Sequence, residues 1–290
     1  MSETKLSAAI PLAVNDHSRD IVGMTYVYPV VSRRAGGVSV GINLNPNNAC
    51  NWRCIYCQVP DLQRGNAPPL DLQQLERELD TMLDAIVNGS FMEEKVPAEA
   101  RRLNDIALSG NGEPTSSRQF AEVIGLIGRI KQKFGLGAEV KLVLISNGSQ
   151  MYRPEVQQAL EQMREFNGEV WFKLDRAPVD DYSFVNQVAL RDSQVVRHAV
   201  AAATRCPTWI QTCMFALDGQ LPDETAIAAY LDLLRECLQA GAPLQGVLLY
   251  GLARPSTQAE APRLSAAPRD WMENLAQRIE TMGLPVKLSL

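Results

Sequence analysis

Short apolar runs of four to eight residues alternate along this chain with longer segments of helical period, and no other feature restricts the fold as much. Parallel strands cannot be joined by tight turns; each pair needs a crossover, which a helix supplies with right-handed sense. The runs Ser39 to Leu44, Asp105 to Gly110, Glu139 to Ser146, Glu169 to Asp175, Trp209 to Phe215 and Leu244 to Tyr250 read as strands. Helical segments cover about Asp71 to Ile86, Ser117 to Phe134, Pro154 to Phe166, Ser193 to Thr204, Asp223 to Ala240 and Pro268 to Met282. Six strand-then-helix units predict an α/β protein with a parallel sheet and outer helices, open or curled. Val286 to Leu290 is long enough to add a short closing strand.

At 290 residues with 46% apolar side chains, the chain can bury a sizeable core, which excludes disorder and small disulfide scaffolds. Length alone fits two domains or one α/β barrel. The unbroken rhythm favours one. A net charge of −5 argues against a surface built throughout for phosphate neutralisation. No apolar run approaches the roughly 18 to 20 residues of a membrane helix. The opening MSETKLSAAIPLAV carries Glu3 and a Pro-broken apolar stretch, unlike a signal peptide, so the expected location is the cytoplasm.

In a reducing compartment, clustered cysteines point to metal rather than to disulfides. Three of the six cysteines, Cys50, Cys54 and Cys57, fall within eight residues on a segment leaving the first strand. An iron–sulfur cubane normally takes four protein ligands, and this segment offers three. One iron would stay open to an outside ligand, as in open catalytic metal sites. A structural zinc site is the alternative, but it usually wants four ligands. Cys206, Cys213 and Cys237 are scattered and read as ordinary buried thiols. His198 reads as a helix residue and His17 as part of an N-terminal arm.

Polar or glycine-bearing segments follow several strands: Asn45 to Cys57, Gly110 to Thr115, Ser146 to Ser149, and Asp175 to Arg176. In parallel α/β folds this rim is where ligands bind. On the fourth strand, alternation sets Trp171, Lys173 and Asp175 on one face and Val170, Phe172 and Leu174 on the other. The apolar set must pack on helices, so Lys173 and Asp175 face inward. They form either an anion-binding and catalytic pair or a mutual structural ion pair. On the fifth strand Gln211 and Cys213 share one face, with Thr212 on the other, and either could face inward.

The cysteine motif with Tyr56 before its last thiol, followed by Gly110-Asn111-Gly112-Glu113-Pro114 on the second strand, resembles the radical S-adenosylmethionine (SAM) superfamily. The first glycine pair of that family's GGE-type motif is interrupted here by Asn111. Further matches are Val31-Ser32-Arg33-Arg34, Asn147-Gly148, Phe172-Lys173-Leu174-Asp175, Ile210-Gln211-Thr212 and Leu252-Ala253-Arg254-Pro255. These look like the wyosine-synthase-like branch and span about residues 27 to 255.

The resemblance implies a partial (β/α)6 barrel over 27–255, preceded by an arm over 1–26. Residues 256–290 would form a helix and short strand packed on the barrel. It implies a [4Fe–4S] cluster on Cys50, Cys54 and Cys57 that reductively cleaves SAM to a 5′-deoxyadenosyl radical, which abstracts hydrogen from a substrate. Tyr56 would lie by the adenine; Gly110, Asn111, Gly112 and Glu113 would meet the methionine amino end. Ser146 and Asn147 would bond ribose or carboxylate. Arg33, Arg34 and Arg254 could anchor an anionic substrate. The implied partners are a reductant such as flavodoxin or ferredoxin and a substrate that is RNA, a peptide or a small anionic molecule, with no membrane. Three alternatives stand beside a general radical SAM enzyme: a tRNA-modifying enzyme, a peptide or protein maturase or activating enzyme, and a non-catalytic metal-binding module. No cysteine precedes Cys50, so the second cluster of wyosine synthases lacks its ligands.

Overall fold

Every strand expected from the apolar runs enters one sheet. In the computed structural model, which describes residues 23–32, 36–177, 184–252 and 254–290, that sheet has eight strands. They are β1 (Val27–Ser32), β2 (Gly37–Ile42), β3 (Leu103–Leu108), β4 (Lys141–Ser146), β5 (Gly168–Lys173), β6 (Thr208–Cys213), β7 (Leu244–Tyr250) and β8 (Val286–Ser289), side by side in that order. All neighbours from β2 onward are parallel, and β1 alone runs antiparallel, against β2. β1 and β8 do not pair, so the sheet is an open partial barrel. The α/β class expected from the sequence is the one the chain adopts.

Helices α1 (Leu72–Val87), α2 (Phe120–Lys133), α3 (Pro154–Glu165), α4 (Asp192–Ala203), α5 (Glu224–Gln239) and α6 (Arg269–Glu280) supply the crossovers. Local chemistry fixes their starts. Asp71 and Asp223 each accept a hydrogen bond from the backbone N–H three residues on, at 2.9 and 2.8 Å, and Pro154 opens α3. In α1, Leu75, Leu79, Met82, Leu83 and Ile86 are buried, a stripe three and four residues apart facing the sheet. The same core takes Val38, Val40 and Ile42 from β2, and Val170 and Phe172 from β5. None of the described helices is long and apolar enough to cross a membrane.

Two features depart from the sequence reading. The edge strand β1 was not among the expected strands; Pro29 interrupts its apolar run, and proline is tolerated only at a sheet edge. Its start is held by Glu78 of α1, whose carboxylate accepts the N–H groups of Thr25, Tyr26 and Val27 at 3.0, 2.7 and 3.2 Å. The expected strand Trp209 to Phe215 ends at Cys213, and Phe215–Leu217 turns aside to pair with Leu264–Ala266. Arg33, Arg34 and His17 lie outside the described residues.

Candidate active site

The C-terminal ends of the parallel strands converge on one rim. There the loops after β2, β3 and β4, with Lys173 at the end of β5, wall a cavity of about 900 Å³. Cys50, Cys54 and Cys57 all line it, as do Tyr56, Gly110, Asn111, Gly112, Glu113, Asn147, Lys173 and Arg254. Residues from four separate βα units therefore meet in one space. Ser146 and Asp175 sit just behind the wall, each buried to within 1% of completely.

The cysteine loop is fastened from several sides. Ala49–Cys50 pairs with Gln63–Arg64, and Ile55 N–H donates to Val185 O at 2.9 Å. Ser256 Oγ donates to the carbonyls of Ile55 and Cys57 at 2.8 and 2.9 Å. The thiols themselves are half-buried. Cys54 Sγ accepts from Asn186 Nδ2 at 3.1 Å, and Cys50 Sγ from Trp52 N–H at 3.5 Å. Burial pushes both thiols up to about 12, and nearby carboxylates, Glu113 for Cys50 and Asp175 for Cys54, add to the shift more than the neighbouring thiols do. A bound cation reverses that balance, because a coordinating thiol loses its proton to the metal.

Among the described residues no three His, Cys, Asp or Glu side chains converge closely enough for a single ion. A lone zinc needs all its sulfurs about 2.3 Å from one point. A cubane places each ligand on a different iron, so it asks for thiols spread around a larger volume. The donor set, three sulfurs lining one cavity and not gathered on a single point among the described residues, fits a cluster better than an ion.

Asparagines hold the loops in register. Asn43 Oδ1 accepts the N–H groups of Asn45 and Asn111, both at 3.0 Å; Asn45 Nδ2 donates to Ala49 O at 2.9 Å; Asn111 Nδ2 donates to Asn48 Oδ1 at 2.6 Å. Asn51 bridges the cysteine loop to the loop after β4, donating to Ser149 Oγ at 2.7 Å and accepting from Asn147 Nδ2 at 2.8 Å. The sequence reading did not assign these roles, although five asparagines in the nine residues from 43 to 51 were the visible signal. The glycines follow from the same packing. A Cβ at Gly110 would lie 2.4 Å from Asn43 Oδ1, and one at Gly112 would lie 2.1 Å from Ala49 O. Two acceptors in this network, Asn45 Oδ1 and Asn111 Oδ1, are buried without a partner among the described residues, and of the two residues Asn111 lines the cavity.

Glu113 is 2% exposed and accepts four hydrogen bonds: from Thr115 N–H at 3.1 Å, Thr115 Oγ1 at 2.5 Å, Ser146 Oγ at 2.7 Å and Asn147 N–H at 2.6 Å. Burial pushes its carboxyl up, and those donors pull against the shift. Its carboxylate thus caps the short 3-10 turn Pro114–Ser116 and ties the glycine loop to the loop after β4. Ser146 Oγ also accepts from Gly148 N–H at 3.0 Å.

Lys173 and Asp175 lie 3.8 Å apart as an ion pair. Burial disfavours the Lys173 ammonium, but the Asp175 carboxylate, together with smaller contributions from Tyr250, Cys213 and Cys54, outweighs it and holds the group above the ordinary lysine range. Asp175 accepts from Tyr56 OH, from Asn186 Nδ2 at 3.0 Å and from Cys213 N–H at 2.8 Å. Lys173 Nζ also donates to Tyr250 OH at 2.9 Å and stands 5.0 Å from the Tyr56 ring centre. Tyr56 is thereby locked against Phe215, with ring centres 5.6 Å apart. Gln211 and Cys213 take the inward face of β6, whereas Thr212 Oγ1 meets Tyr230 OH at 2.8 Å on the helix side. Cys206, Cys213 and Cys237 are buried, and His198 sits in α4.

No protein-family model matches the chain. The chain is similar to a UPF0026 protein of Helicobacter pylori (strain ATCC 700392 / 26695), 34% identical over 165 residues, which are 57% of this chain and 46% of that protein. It therefore matches less than half the length of that relative. In structure it is similar to a radical SAM methyltransferase from Sphaerobacter thermophilus, with a TM-score of 0.57 and 14% identity over 91% of this chain and 68% of the other. It is also similar to anSMEcpe with bound AdoMet, with a TM-score of 0.52 and 14% identity over 86% of this chain and 62% of the other.

Proposed function

We propose that this chain, which has the radical SAM fold, is a radical SAM enzyme whose cofactors sit at the cysteine end of the cavity. Cys50, Cys54 and Cys57 would hold a [4Fe–4S] cluster, and the adjoining loops would hold SAM. Bound there, the two groups would supply reductive cleavage of SAM and abstraction of a hydrogen atom from substrate. One juxtaposition supports the reading: three thiols from one loop open on the same space as the glycine loop and Lys173.

The chain's own residues have definable work in this scheme. Asn111 Oδ1, buried without a partner, suits an ammonium N–H. Asn186 and the Trp52 N–H direct hydrogen bonds at sulfur, which favours the thiolate form needed for ligation. Asp175 fixes Tyr56 and Lys173 together, so that an aromatic face and a cation border the cavity in fixed positions. Lys173 supplies positive charge for a carboxylate of cofactor or substrate. Fastening of the cysteine loop by Val185, Ser256 and Gln63–Arg64 keeps the three sulfurs in place before ligation.

The test is anaerobic reconstitution with iron and sulfide, followed by reduction and assay of 5′-deoxyadenosine. Reductant-dependent release is expected from the native chain and not from the Cys54→Ala variant. Equal release from both would overturn the ligand assignment.

A further inference from the structure

Given the reading that puts the cofactors at the cysteine rim, the opposite end of the cavity is left for the substrate. The wall descends the inner face of β2 and β3, from Asn43 and Ser109 at the rim to Ser39 and Asp105. Four residues of strand separate Ser109 from Asp105, a drop of about 13 Å. Ala107, Ile145 and Val30 line the descent, with Tyr28 and Trp171 as aromatic walls. Most polar groups on the way are already engaged: Tyr28 OH meets Ser109 Oγ at 3.0 Å, and the Trp171 indole N–H donates to Glu169 at 2.8 Å.

Asp105 ends this wall. It is 4% exposed, and the hydrogen bond it accepts among the described residues comes from the Ser39 hydroxyl. The charged groups facing it are Lys141 on β4 and Glu169 on β5, and these two pair with each other. Tyr28 on β1 and Ser39 on β2 carry no charge. A carboxylate offers about four lone-pair sites, so Asp105 retains acceptor capacity toward the cavity. Burial pushes it up to about 6; the Ser39 hydrogen bond lowers it, Glu169 raises it and Lys141 lowers it. A cationic N–H donor would relieve the cost of that burial, and an anionic group would add to it.

We propose that Asp105, oriented by Ser39, is the specificity-determining residue for substrate and takes a protonated amine or amidine, while Trp171 and Tyr28 pack the flat or apolar part attached to it. An anionic substrate group belongs at the other end, beside Lys173 and Arg254.

The probe is benzamidine, titrated calorimetrically into the full chain beside benzoate and benzyl alcohol. Benzamidine should bind at least about tenfold more tightly than either, and Asp105→Asn should lose at least about tenfold. In the unsubstituted chain, 13C NMR of the Asp105 carboxyl should show its titration moving below about 6 when benzamidine is added. That second readout stands even if Asp105→Asn folds poorly. Cys54→Ala should bind benzamidine like the native chain, so failure here leaves the cluster reading intact, and loss of iron in Cys54→Ala leaves this one intact. No binding, equal binding of benzoate, or an unmoved Asp105 titration would overturn the proposal.

Discussion

The two faces of the sheet obey different rules, and neighbouring residues of β5 display both. Val170 and Phe172, 0% and 2% exposed, disappear into the apolar layer beneath the helices. Between and beyond them Glu169, Trp171 and Lys173 turn to the other side, where each is held by a polar partner or a ring. On the outer face a residue is specified by volume and by exclusion from water. On the inner face it is specified by which charge or hydrogen bond it meets. Substitutions on the outer face should therefore cost stability, and those on the inner face should cost ligand binding or pH response as well.

Phe172→Ala should break the outer face most, costing about 3 to 5 kcal/mol in denaturant unfolding while leaving the cysteine ligands unchanged. Asp175→Ala comes next on the inner face. It strands the Lys173 charge and frees Tyr56, so a loss of about 3 kcal/mol is expected, with raised Tyr56 mobility by NMR. Gly112→Ala should cost about 1 to 3 kcal/mol. Unlike Phe172→Ala it should also lower iron uptake, because the added carbon meets the Ala49 carbonyl at the head of the cysteine loop. Retained iron uptake in that variant would show that the two faces do not divide as argued.

The smallest effect is a pH dependence. Folding raises Asp105 to about 6, so between roughly pH 4 and pH 6 the folded chain keeps a proton that the unfolded chain has released. The stability this group contributes is complete below about pH 4 and is lost as pH rises to about 6, by up to roughly 2 to 3 kcal/mol. Asp105→Asn should flatten that stretch of the stability profile. An unchanged profile would remove Asp105 from the set of buried titrating groups.

Helix-facing residues were legible in the sequence because period and apolarity report the same thing, burial against a helix. The ends of elements were less so. Pro29 disguised β1, and the turn at Met214 that ends β6 carries no glycine or proline to announce it. The cysteines declared themselves by spacing, and Lys173 and Asp175 by alternation along one strand. Asp105 was visible only as a charge at the head of an apolar run. Its pairing with Ser39 depends on the register of β2 against β3, where Ser39 lies opposite Asp105, and a single strand's sequence contains no register. The asparagine network escaped for the same reason: each side chain is ordinary alone, and its partners lie on three different loops.

In the proposed enzyme Cys50, Cys54 and Cys57 together hold one polynuclear cluster. The most direct test of this ligation is iron and acid-labile sulfide content after anaerobic reconstitution, measured on the native chain and on the chain with all three cysteines changed to alanine. About four irons and about four sulfides are expected per native chain, and neither in the variant. A single zinc with no sulfide, or the same iron content in both proteins, would contradict it.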